Sequence, residues 1–110
     1  SMPSFFRAGV YHNMGYAYLQ LFQSKRALEC FKKACKSDGS DEFRDAYIKA
    51  VFFDGGAEKM EKELERLKAD EEYAERIRTE ISQVKGKTIS DDPDKMIGQW
   101  IKQYHLSVDM

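Results

Sequence analysis

The sequence predicts an all-α fold, and three observations predict it. Proline stands only at positions 3 and 93, so about ninety residues run without a helix breaker. Charged residues make up 34% of the 110-residue chain, and its polar stretches are rich in glutamate, lysine and alanine, which all favour helix. Apolar residues recur at steps of three and four. The length suits one domain, and 42% hydrophobic content supplies a modest core. No apolar run approaches the ~18 residues of a membrane span. The net charge of −1 lacks the positive excess that nucleic-acid binding exploits, so neither a membrane span nor a nucleic-acid partner is expected.

Six helices are expected. The first runs from about Ser4, a candidate N-cap, to Phe22, with Phe6, Val10, Tyr11, Met14, Tyr18, Leu21 and Phe22 as its apolar stripe. Gln23-Ser24-Lys25 interrupts it, and Ser24 can cap a second helix over 25–36, faced by Ala27, Leu28, Phe31, Ala34 and Cys35. Ser37-Asp38-Gly39-Ser40 stops this helix, with Gly39 suited to a left-handed C-cap. Asp41 caps a third helix over 42–53, whose apolar face is Phe43, Ala46, Tyr47, Ala50, Val51 and Phe53. Asp54-Gly55-Gly56 is a tight break. The fourth helix, 57–68, presents Ala57, Met60, Leu64 and Leu67. The register shifts at Ala69-Asp70, which favours a break, but no glycine or proline divides the fourth helix from the fifth, and one long rod is the alternative. The fifth helix, 71–84, turns Tyr73, Ala74, Ile77, Ile81 and Val84 inward, and its acidic start suits the positive end of the helix dipole. After a break at 85–88, Asp92 caps a sixth helix with Pro93 in its first position and Met96, Ile97, Trp100, Ile101 and Tyr104 as its stripe.

Charge is unevenly spread. Residues 1–40 carry six basic and two acidic side chains, and residues 41–80 carry eight and thirteen. The plain reading is solvated helix faces. The functional reading is a basic end that prefers an acidic partner segment. Cys30 and Cys35 stand five apart on one helix, so their side chains point about 140° apart, which disfavours a disulfide between them. No cysteine or histidine stands at zinc spacing beside them. Reduced cysteines and a start without a basic or apolar leader point to a cytoplasmic protein. His12 and His105 have no neighbouring nucleophile or metal-spaced partner, and the phosphate-binding, metalloprotease and hydrolase motifs are absent. No enzyme activity and no cofactor is expected.

The first two helices carry a specific pattern. Counting Ala8 as position 1 of a 34-residue unit, Tyr11, Met14, Gly15 and Tyr18 fall at positions 4, 7, 8 and 11. Ala27, Phe31 and Ala34 fall at 20, 24 and 27, and Gly39 stands at 32, where proline is usual. This spacing resembles a tetratricopeptide repeat, covering residues 8–41. Gly15 and Ala27 are small where the two helices would cross, Tyr11, Tyr18 and Phe31 fill around the crossing, and Ala34 lets the next unit stack. The unit beginning near Glu42 keeps the helix lengths but has Lys49 and Glu61 at the two close-crossing positions, so residues 42–69 look like a degenerate repeat. The fifth helix, within 70–85, then resembles the capping helix of such arrays. The domain reading is 1–85 for this helical unit and 86–110 for a linker and C-terminal amphipathic helix.

The resemblance implies a right-handed superhelix of antiparallel helix pairs whose first helices line a groove for an extended peptide or a partner helix. On this chain the family's groove positions are Gly9, His12, Asn13, Tyr16, Leu19 and Gln20, then Phe43, Ala46, Tyr47, Ala50, Phe53 and Asp54 in the second unit. His12, Asn13, Tyr16, Leu19, Gln20, Phe43 and Tyr47 are therefore the expected partner-binding residues, joined by Trp100 of the sixth helix. Asn13 matches one asparagine of the family's carboxylate clamp, but His12, Phe43 and Tyr47 replace its basic partners. The implied function is protein binding as an adaptor or scaffold. The alternatives are a co-chaperone or secretion-chaperone-like module that holds a client segment, and a structural self-association or capping domain without a ligand, with the C-terminal helix as a candidate contact between copies.

Overall fold

Two helix ends and one glycine set the chain's path. The computed structural model describes residues 3–86, with side chains as far as Gln83. It contains α1 (Ser4–Gln20), α2 (Ser24–Ser37), α3 (Asp41–Gly55), α4 (Ala57–Arg66) and α5 (Glu71–Gly86), with no strand among the described residues. The expected sixth helix, with Trp100, lies outside the described residues.

α1 ends because Phe22 turns left-handed, at φ 58°. Its N–H bonds the Leu19 carbonyl at 2.9 Å, and the Gln23 N–H bonds the Tyr18 carbonyl at 2.9 Å. That pair of bonds is a Schellman closure. α4 ends the same way: Lys68 has φ 55°, its N–H reaches Glu65 at 3.0 Å, and the Ala69 N–H reaches Leu64 at 3.0 Å. This break settles the alternative of one long rod in favour of two helices. The register shift marked the place, but not the residue, because the left-handed position is held by lysine rather than glycine. Asp70 then accepts the Tyr73 N–H at 2.8 Å and opens α5.

Between α3 and α4 stands Gly56, at φ 89° and ψ −179°. Only glycine adopts that region readily. Gly56→Ala is expected to lower stability by about 1–3 kcal/mol. Urea denaturation should show a lower midpoint with an unchanged slope.

Several local expectations need correction. Ser4, Ser24 and Asp41 lie inside their helices, and Pro3, Gln23 and Ser40 hold the cap positions without a side-chain cap bond. Pro3 can precede a helix because its φ is already helical. Gly39 is not left-handed. α2 instead ends on an extended Asp38, whose Oδ1 accepts the Ser40 N–H at 2.9 Å. The apolar stripe assigned to α1 is the largest correction. Phe6, Val10, Met14, Leu21 and Phe22 are exposed, and the covered face is Ala8, His12, Gly15, Tyr16 and Leu19. α1 is apolar on two faces, and α2 and α3 cover one of them.

The helices stand in two rows. α1 and α2 are antiparallel, since Tyr11 near the start of α1 meets Lys33 late in α2 and Tyr18 meets Arg26. α1, α3 and α5 are neighbours: His12 and Phe5 of α1 touch Phe43, and Asp45 of α3 bonds Tyr73 of α5. The main core joins Leu19, Ala27, Phe31, Tyr47, Ile48, Leu64 and Ile77, so it runs from the first pair to α5. Ala8, Ala34 and Phe43 form a smaller cluster. The inward face read for α5, from Tyr73 to Ile81, is buried.

The crossing of α1 and α2 is very close. A Cβ added at Gly15 would lie 2.6 Å from Cε1 of Phe31, which is itself fully buried. Ala27 and Ala34 are fully buried along the same contact.

Candidate protein-binding surfaces

Two faces bear on binding. One is the row of α1, α3 and α5, where the groove positions fall. The other is the uncovered side of α1 with the adjoining edge of α2.

Along the first face, most of the expected partner-binding side chains turn inward. His12, Tyr16, Leu19, Phe43 and Tyr47 are buried, and Asn13 and Gln20 are exposed. Trp100 lies outside the described residues. For His12, Tyr16 and Phe43 the physical reason is aromatic packing shared by α1, α2 and α3. His12 lies edge-on to Tyr16 at 4.8 Å, to Phe43 at 5.2 Å and to Phe31 at 5.6 Å between ring centroids. Each such pair adds stability beyond the area it covers. Tyr47 donates from its hydroxyl to Glu63, which also accepts from Arg66. Burial first, and then the Glu63 contact, push the Tyr47 phenol up to about 12.

His12 carries a pH dependence. Its Nδ1 is buried without a hydrogen-bond partner among the described residues. Burial lowers its pKa from 6.5 to about 4. The unfolded chain therefore binds this proton more readily than the folded one. Stability is full above about pH 6.5 and is lost as pH falls towards 4, by on the order of 3 kcal/mol in total. His12→Phe keeps the ring contacts and removes the proton site. Between pH 7 and pH 4.5, urea denaturation should show the variant gaining about 2 kcal/mol relative to the parent.

Towards α5 the same row is polar and internally paired. Asp45 accepts from the Tyr73 hydroxyl at 2.7 Å and from both terminal nitrogens of Arg76, at 3.1 and 3.0 Å. Arg44 stacks 3.8 Å above the Tyr73 ring. Arg76 continues to Glu80 at 3.0 Å, and Glu80 holds the buried Lys49 ammonium at 2.6 Å. On the α4 side, Arg78 makes a two-point contact with Glu61, at 2.8 and 2.7 Å. The two residues that fail the close-crossing pattern, Lys49 and Glu61, are thus both partnered by α5.

The second face is different in kind. Phe6, Val10 and Met14 follow one another at four-residue spacing, with Phe6 62% and Val10 48% exposed. Leu21 and Phe22 extend the apolar surface at the hairpin tip. Beside this stripe lies an open groove lined by Tyr11, Met14, Tyr18, Lys25, Arg26, Glu29, Cys30 and Lys33. The sequence shows these residues as one helical stripe, and periodicity reports a stripe but not its neighbour. The usable signal was that α1 carries two stripes. Gly15 marks the one that meets α2, and Phe6, Val10 and Met14 point away from it.

Cys30 and Cys35 are both free, and burial pushes both thiols up. Among the described residues, no three histidine, cysteine or carboxylate groups are placed to hold a metal ion. No described helix is long and apolar enough to cross a membrane.

The tetratricopeptide repeat family model matches residues 8–41. No curated protein and no solved structure matches the chain.

Proposed function

We propose that this chain, whose residues 8–41 are a tetratricopeptide repeat, is a protein-binding module that takes a peptide or helix from a partner and serves as an adaptor or scaffold. Repeats of this family mediate protein–protein interactions, and the coarse reading follows from that. One observation carries it further: the uncovered apolar face of α1. A helix that is apolar on two faces belongs between neighbours. Among the described residues α1 has neighbours on one side only, and large exposed apolar patches mark interaction sites. In this reading α3, α4 and α5 act as a degenerate repeat and a cap that hold the first pair rigid, and the chain works through shape and contact rather than catalysis.

The test is a selection of binding peptides from a random display library, using the full chain. Peptides that bind the parent and not Val10→Glu/Met14→Glu support the reading. A library that yields no binder to the parent overturns it.

The same open stripe favours a second reading, association of two copies, with the segment around Trp100 as the contacting element. Light scattering over a range of concentrations tests it. A mass that doubles with concentration, and halves again in Trp100→Ala, is its expected result.

A further inference from the structure

We propose that the open face of α1 and α2 is a docking site for an acidic amphipathic helix of a partner protein. The proposal deepens the protein-binding reading and rests on it.

The spacing of the stripe points to a helix. Phe6, Val10 and Met14 lie about one turn apart along α1, so their side chains form a ridge inclined by about 26° to its axis. A second helix laid alongside meets such a ridge with apolar residues of its own at three- and four-residue steps. The groove between the two helices, at about 360 Å³ and open to solvent, has room for side chains from such a neighbour.

The rim points to acid. Lys25, Arg26 and Lys33 line the groove on its α2 side. Lys33 lies 5.5 Å from the ring centre of Tyr11, and Arg26 lies 5.9 Å from that of Tyr18, so both cations sit beside the apolar stripe. None of the three makes an ion pair among the described residues. The carboxylates elsewhere behave differently: Asp45, Glu61, Glu63 and Glu80 are each held by arginine or lysine from their own or a neighbouring helix. Those four carboxylates are neutralised within the α3–α5 half, whereas Lys25, Arg26 and Lys33 at the α1–α2 edge have no such partner among the described residues. One carboxylate, Glu29, also lines the groove, and it disfavours a phosphate backbone there.

A second copy offering its α5 fits less well. The outward face of α5 is acidic, but it presents Glu71, Glu72, Glu75, Thr79 and Gln83, with nothing apolar to cover Val10 and Met14.

The test uses the full chain and two fluorescein-labelled helical peptides. Both carry one leucine stripe, flanked by glutamate in one peptide and by lysine in its twin. The glutamate peptide is expected to bind the parent, and to bind it more weakly as salt rises. Lys25→Glu/Arg26→Glu/Lys33→Glu should weaken it about tenfold or more and should favour the lysine twin instead. A Lys25→Gln/Arg26→Gln/Lys33→Gln variant gives the intermediate affinity, and thermal melting confirms that each variant folds. Val10→Ser/Met14→Ser should abolish binding of both peptides. Equal binding of the two peptides by the parent overturns the acidic assignment. No binding of either peptide overturns the docking site, and the protein-binding reading then still stands if the display library yields binders of another chemistry. A dimer that Met14→Ser dissociates, in a protein that binds neither peptide, assigns the face to a second copy and also overturns the proposal.

Discussion

Replacing Gly15 by valine is expected to lower the stability of the domain by about 3 kcal/mol. The added side chain must enter a space where even its Cβ would stand 2.6 Å from the Phe31 ring. That ring is fully buried and cannot swing into solvent. Overpacking of a filled core costs about 1–3 kcal/mol, and here two helix backbones must also part. Gly15→Ala is the milder case, because the better helix propensity of alanine returns about 1 kcal/mol. At this chain length, 3 kcal/mol corresponds to a fall in Tm of roughly 12–24 °C. Phe31→Leu should recover part of the loss in the Gly15→Ala background, while lowering stability on its own. Thermal melting of the four proteins measures that coupling, and purely additive effects would refute the contact.

Glu80→Ala is expected to cost about 3 kcal/mol. It removes the carboxylate that holds the Lys49 ammonium, which is 1% exposed. Burial lowers the Lys49 pKa, and Glu80 is the main group opposing that shift. The unfolded lysine keeps its proton to higher pH than the folded one, so the deficit should shrink as pH rises towards the ordinary lysine value. Lys49→Met should be near neutral, since a buried ion pair contributes little over an apolar residue of similar size. Lys49→Met/Glu80→Ala should then regain most of what Glu80→Ala loses. Chemical denaturation at pH 7 and pH 9.5 provides the comparison, and a double variant as unstable as Glu80→Ala would refute the role of this pair.

The close crossing of the first two helices was legible because it depends on residue size at fixed spacing. Gly15, Ala27 and Ala34 are small, Phe31 is large, and the structure brings them together as the pattern required. The inward face of α5 was legible for a similar reason, since one apolar stripe with polar surroundings has one orientation. Lys49 and Glu61 were not legible. Each looked like a misfit in its own helix pair, and each is compensated by a residue of α5, Glu80 or Arg78, far along the chain. Spacing within a helix cannot report such a partner. The burial of most groove positions was not legible for another reason. His12 and Tyr16 are enclosed with Phe31 of α2, His12 also meets Phe43 of α3, and Tyr47 turns to Glu63 of α4, so neighbours from three other helices cover these positions.

The amino-acid sequence by itself determined that this protein is helical, where its first five helices lie to within a few residues, and that its first pair crosses at Gly15. Those properties depend on backbone propensity, on breakers and on side-chain volume, all of which act over a few turns. Only the tertiary structure decided which of α1's two apolar faces is covered, which charges are neutralised, and therefore which surface is left for a partner. Burial and charge pairing depend on neighbours, and the neighbours come from elsewhere in the chain.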